Sequence, residues 1–149
     1  EKASELGAYT VNTSEVSLEE GLASHFGVVR NMYGLEVPNV NVFVDAAGAP
    51  SLFEKIIKIA IENARISVIA VYKNPVNLDL MQVMGSELQI TGACAYTHED
   101  IIKVIEHISI KKTNIGTIVT QVYKFDQIQE AFEKAISAKG AIKVVVDFT

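Results

Sequence analysis

An alternation in the middle of the chain narrows the possible folds more than anything else in it. Asn41-Val42-Phe43-Val44-Asp45-Ala46-Ala47-Gly48 reads as a buried strand that ends in small residues. Ser51-Leu52-Phe53-Glu54 follows directly after Pro50 with capping-box spacing, which predicts a helix start. The continuation places Leu52, Phe53, Ile56, Ile57, Ala60, Ile61 and Ala64 on one broad apolar face. Ile66 to Val71 is mostly apolar, as expected of a parallel strand covered on both faces. Leu78 to Met84 suits a short helix stopped by Gly85, and Leu88-Gln89-Ile90-Thr91-Gly92 is a further strand. Thr97-His98-Glu99-Asp100 then caps a helix whose Ile101, Ile102, Val104, Ile105 and Ile108 are expected to face inward. Strand and helix in turn predict an α/β fold with parallel strands joined by right-handed crossovers.

The flanks carry weaker signals. Glu1 to Ala8 reads as a helix end without a beginning, with Gly7 where a left-handed residue would close it. The absence of an initiator Met and of a first turn leads to the expectation of a fragment, a cleaved product or a trimmed chain. Tyr9-Thr10-Val11-Asn12 is a short β-prone run. Ser17-Leu18-Glu19-Glu20 is another capping box, with Gly27 able to close its helix, and Val28 to Pro38 reads as a loop. In the tail, Ile118 to Val122 is a strand and Asp126 can cap a helix carrying Ile128, Ala131, Phe132, Ala135 and Ile136. Gly140 ends that helix, and Ile142 to Phe148 is a final strand.

A length of 149 residues is enough for one domain with a real core. The formal net charge of −5, with Lys111-Lys112 as a mere pair at a helix end, argues against nucleic acid. The longest apolar region, Ile56 to Tyr72, is broken by Lys58, Glu62, Asn63 and Arg65. It cannot span a membrane, and a cytoplasmic location is the default. A single cysteine, Cys94, excludes an internal disulfide and a multi-cysteine zinc site.

Few residues advertise chemistry. There is no GxGxxG and no P-loop. Asp45 at a strand end could bind a ribose, but that role needs a glycine-rich turn about 20 residues upstream; a polar strand-end residue is the simpler reading. His25, His98 and His107 lack ligand spacing. Cys94 has no cationic neighbour in sequence to activate it and reads as a small buried residue. The strand ends carry more. Ligands of open α/β sheets bind outside the carboxyl ends of the strands. Those ends are Ala46-Ala47-Gly48, Ala70-Val71-Tyr72 and Gly92-Ala93-Cys94-Ala95. Small residues there allow either close approach of a flat ligand or tight helix–strand packing, and the residues alone do not choose between these.

An ordered set of motifs does choose. Ala3 to Ala8 with Tyr9-Thr10-Val11-Asn12, then Phe43 to Gly48, then Glu87-Leu88-Gln89-Ile90-Thr91-Gly92, resembles the medium-chain, zinc-type alcohol dehydrogenase family. Tyr123 to Glu133 and Ile142 to Val146 resemble its closing helix and last strand. The likeness runs through the whole chain in family order. It implies that residues 1–114 are the later part of a Rossmann coenzyme domain and that 115–149 are the closing segment of the catalytic domain. In the Rossmann order 3-2-1-4-5-6, strands 3 to 6 would be retained and strands 1 and 2 missing. Tyr9 to Asn12, as strand 3, would stand about 14 Å from strand 4, three spacings of about 4.8 Å. Such a strand is expected to be loosely held, re-paired or supported by another chain.

The resemblance also implies a cofactor, NAD or NADP. Ala47 matches a residue near the adenosine ribose. Ile69, Ala93 and Ala95 match positions whose backbone groups hold the nicotinamide carboxamide, and Lys143 matches a basic residue able to reach the pyrophosphate. Ala64 and Ala70 stand where glycines are usual, so Ala70 adds a methyl near the expected nicotinamide. The family's zinc ligands, glycine-rich turn and ribose-binding acid precede the position matching Glu1, so no metal or catalytic residue is expected here. The parent would oxidise a small alcohol or polyol, with the fragment itself inactive. A homodimer through the strand 6 edge is expected. The alternatives are a stand-alone dimerising or ligand-binding module and a zinc-free reductase of the same superfamily.

Overall fold

In the computed structural model, residues 2–110, 114–137 and 139–149 are described. Glu1 and the Lys111-Lys112 pair, both singled out above, lie outside them. Thr10–Ala95 forms one compact unit, and the residues before it form the other together with Tyr96–Thr149.

The first element, α1 (Lys2–Glu5), ends as its sequence predicts. Gly7 has φ 88°. Its amide bonds the Ser4 carbonyl at 3.0 Å, and the Ala8 amide bonds that of Ala3 at 3.0 Å. These are the paired bonds of a Schellman stop, which satisfy carbonyls the short helix leaves open.

Within Thr10–Ala95, α2 (Leu18–Phe26) starts on the expected capping box. Ser17 accepts from the Glu20 amide, the Glu20 carboxylate accepts from Ser17, and Gly27 closes the helix at φ 73°. Val28 to Pro38 corrects the expectation of a loop: β1 (Val28–Arg30) and β2 (Glu36–Pro38) form an antiparallel hairpin. Turn chemistry makes it, not hydrophobic period. The buried Asn31 carboxamide oxygen accepts from the Tyr33 and Leu35 amides at 3.1 and 2.9 Å, and Gly34 supplies φ 76°.

The alternating core follows as β3 (Val42–Asp45), α3 (Pro50–Ile59), β4 (Arg65–Val68), α4 (Leu80–Gly85) and β5 (Gln89–Gly92). The strands are parallel in the order β3-β4-β5, with Phe43, Ile66 and Ile90 in register. The α/β reading with a partial Rossmann-type parallel sheet holds. One detail of α3 differs: its N-cap is Ala49, without a side-chain cap bond, so the Ser51–Glu54 capping box does not form. Pro50 explains this, because its fixed φ occupies the first helical position and starts the helix two residues early. Phe53, Ile56, Ile57 and Ile59 of α3 then pack with Phe43, Ile66, Leu88, Ala60 and Ala64 as one buried cluster.

Tyr9 to Asn12 is not a strand, which corrects the expectation that strands 3 to 6 are all retained. A strand persists only in a ladder, and among the described residues no strand pairs with this run. Val11 instead packs on α2, where Gly21 leaves space: a Cβ built on Gly21 would lie 2.2 Å from Val11 Cγ1.

The other unit contains α5 (His98–Ser109), a 3-10 turn (Ile115–Ile118), β6 (Val119–Lys124), a second such turn (Phe125–Gln127), α6 (Ile128–Ser137) and β7 (Lys143–Asp147). β6 and β7 pair in parallel across α6. The turn at Phe125 leads into α6, so the helix start expected at Asp126 is a 3-10 segment. Thr97 and Asp100 form the expected capping box of α5. Its apolar stripe, however, does not face inward: Ile101, Ile102, Val104, Ile105 and Ile108 are all exposed. Among the described residues no strand or helix packs along α5, so the stripe has no partner to bury it. No helix among the described residues is long and apolar enough to cross a membrane.

Candidate functional site

The carboxyl ends of β3, β4 and β5 stand side by side in one parallel sheet, and adjacent strands lie about 4.8 Å apart. Ala47 follows β3, Ile69 follows β4, and Ala93 and Ala95 follow β5. The fold therefore brings four of the five candidate cofactor residues to one edge, and all four are exposed there. Lys143 is exposed at the start of β7, in the other unit.

Asp45, the last residue of β3, organises this edge. It is 3% exposed. One carboxylate oxygen accepts from the Ala47 and Gly48 amides at 3.0 and 3.1 Å. The other accepts from the Tyr72 hydroxyl. Its backbone carbonyl accepts from the Ile69 and Ala70 amides, both at 3.0 Å. The carboxylate is thus committed to the protein, which agrees with the structural reading of Asp45 over a ribose contact. Tyr72, whose role the sequence reading missed, is the second member of the pair. Its ring meets Phe53 edge-on, with centroids 6.1 Å apart and planes at 85°. The sequence signal for the pair was an acid at the end of one parallel strand and a phenol shortly after the next.

Electrostatics follow from these bonds. Burial alone would raise the Asp45 pKa, but the hydrogen bonds from Tyr72, Gly48 and Ala47 outweigh it and hold the carboxyl below its ordinary value. Burial first, then the bond to Asp45 and its charge, push the Tyr72 phenol up to about 12. Because this is above the unfolded value near 10, the Tyr72 contribution to stability is complete below about pH 10. It is lost as pH rises through about 12. An ultraviolet titration of the five tyrosines should therefore show one late component, absent from Tyr72→Phe. The same late component in the variant would contradict the assignment.

Gly48 sets the closest approach at this edge. It has φ +66°, and a Cβ there would meet the Val71 carbonyl oxygen at 3.1 Å and Ala70 Cβ at 3.2 Å. The additional methyl of Ala70 is thus accommodated over a residue that has none. Ala95 has φ 62° without being glycine, and such backbone is uncommon enough to suggest a functional constraint.

A dinucleotide suits this edge. The Ile69 amide is bonded to the Asp45 carbonyl, and the Ala93 amide to that of Val68 at 3.0 Å. What both residues have left for a ligand is a carbonyl acceptor, the complement of a carboxamide NH2. Among the described residues no three His, Cys, Asp or Glu side chains are grouped to hold a metal ion. Cys94, expected to be buried, is exposed, because β5 ends at Gly92 and the loop beyond it is uncovered.

No protein-family model matches the chain. Sorbitol dehydrogenase 1 of Saccharomyces cerevisiae is 22% identical over 149 residues, 99% of this chain and 41% of its own length. A probable D-xylulose reductase A of Aspergillus clavatus is 25% identical over 109 residues, covering 73% of this chain and 30% of its own length. L-threonine 3-dehydrogenase of Thermococcus kodakarensis is 30% identical over 97 residues, 63% of this chain and 28% of its own length. The fold matches an alcohol dehydrogenase of Escherichia coli CFT073, solved as a complex with NADH, at a TM-score of 0.79 and 23% identity. It matches 2R,3R-butanediol dehydrogenase of Bacillus subtilis at 0.78 and 20%. These matches cover 99% of this chain and 41% and 40% of the two solved chains. The chain spans about two-fifths of the length of the first curated relatives it matches. These relatives and structural neighbours are named as dehydrogenases or reductases of alcohols, polyols and related substrates, and the fold of this chain is theirs over part of their length.

Proposed function

We propose that this chain is the C-terminal part of an NAD(P)-dependent, zinc-type alcohol or polyol dehydrogenase, and that it supplies part of the coenzyme site. One observation carries the reading: Ala47, Ile69, Ala93 and Ala95, matched to cofactor-contacting positions by resemblance, end adjacent parallel strands at one exposed edge. That edge is where open α/β sheets bind ligands. Support comes from a structural neighbour that is a complex with NADH and from relatives named for sorbitol and D-xylulose. Residues 1–114 belong to the coenzyme domain in this reading, and 115–149 close the catalytic domain, with Lys143 serving the pyrophosphate. The enzyme works in the cytoplasm as a dimer joined along the β5 edge, and its metal is held by residues outside this stretch.

The reading has a direct test. The purified 149-residue chain should bind NADH or NADPH weakly and reversibly. It should give no turnover with sorbitol, xylitol or 2,3-butanediol and either oxidised cofactor. Turnover by the pure chain would overturn the division of labour, and absence of binding to both reduced cofactors would overturn the site.

A further inference from the structure

The hydrogen bonds at the carboxyl edge go beyond what the parallel ladder requires. In a parallel sheet, chains leaving neighbouring strands are free to splay once the last ladder bond is made. Here they are not, and one residue prevents it. The Asp45 carbonyl takes the Ile69 amide as the last ladder bond and, beyond the ladder, the Ala70 amide from the same chain leaving β4. Its carboxylate takes two amides from the chain leaving β3, those of Ala47 and Gly48. The remaining oxygen takes the Tyr72 hydroxyl, three residues beyond Ile69. Tyr72 is itself seated edge-on against Phe53, a buried residue of the core cluster. A Cβ on Gly48 would stand 3.1 Å from the Val71 carbonyl oxygen, tighter than most side chains pack, and its φ of +66° favours glycine. The separation of Ala47 from Ile69 is therefore set by side-chain chemistry anchored in the core.

We propose that Asp45 and Tyr72 are positioning residues for the dinucleotide, holding the ribose contact at Ala47 and the carboxamide contact at Ile69 at a fixed separation while touching neither end themselves. The proposal rests on the cofactor reading above. A ligand that must meet two loops at once binds best when their spacing is already correct, because little ordering is left for binding to supply. Tyr72→Phe removes the hydroxyl alone. The ring stays available to Phe53, and one Asp45 oxygen loses its partner, so the two loops lose the tie but keep their packing.

The test uses the full chain and NADH, well below the unfolding temperature. Tyr72→Phe should weaken NADH binding about tenfold, the factor that corresponds to losing one buried hydrogen bond of about 1.4 kcal/mol. Its Ala47, Gly48 and Ile69 amide resonances should move before any ligand is added. Ile57→Val serves as the control for mere stability. Ile57 is buried at 2% exposure in α3, and the change should lower the urea midpoint with NADH affinity unchanged. Equal NADH binding by Tyr72→Phe and wild type overturns the positioning role and leaves the cofactor site standing. An equal loss in Ile57→Val also overturns it, because the effect then follows stability. Absence of NADH binding by the wild-type chain overturns the cofactor reading, and the positioning role with it.

Discussion

Replacing Ile66 with alanine is expected to remove about 3 kcal/mol from the Thr10–Ala95 unit, within the usual range of about 2–5 for such a deletion. Ile66 has 0% exposure and sits on β4, the central strand, between Phe43 of β3 and Ile90 of β5. Both neighbouring strands, and the buried face of α3, depend on the volume it fills. A cavity there cannot collapse easily, because the ladder fixes the strands on either side. At about 1–2 kcal/mol per molar urea for a small unit, the unfolding midpoint should fall by about 2 M. Ile66→Val should cost a small fraction of that. A midpoint for Ile66→Ala close to the wild-type value would show that β4 is not the centre of the core.

The second large effect is expected at Gly48. Valine there meets two penalties. The φ of +66° costs an L-residue about 1–2 kcal/mol, and a β-branched one more. Its Cβ would also press on the Val71 carbonyl oxygen at 3.1 Å, a backbone atom held in place by the Asp45–Tyr72 tie. Together these should cost about 2–4 kcal/mol. The loop must shift to relieve the clash, and Ala47 moves with it. Gly48→Val should therefore lose NADH binding even under conditions where circular dichroism shows it folded. Gly116→Ala is the matching control: its nearest obstacle is Asn114 Oδ1 at 3.8 Å, and its φ is not positive. It should change neither property. Undiminished NADH binding by Gly48→Val would contradict the account of this loop.

Much of the fold was legible because local signals agreed with one another. The capping boxes at Ser17 and Thr97 and the glycine stop at Gly7 all form, since each is completed within a few residues. The strands β3, β4 and β5 were legible from apolar runs punctuated by Pro50 and Gly85. Where a signal needed a distant partner, the sequence misled. Tyr9 to Asn12 has strand propensity but no ladder neighbour, and Val11 turns to Gly21 instead. The α5 stripe has the right period, yet period alone does not say what covers it. The Asn31 turn was missed because a side-chain bond, not alternation, makes the hairpin. The site was legible in its place, the strand ends, and in its small residues. The Asp45–Tyr72 tie was not, since it joins side chains 27 positions apart.

Amide chemical-shift mapping of the pure chain during an NADH titration tests the central claim most directly. The account predicts that the largest shifts fall on Ala47, Gly48, Ile69, Ala93 and Ala95, the carboxyl edge of β3, β4 and β5. Shifts absent from that edge, or confined to α5 and α6, would contradict it.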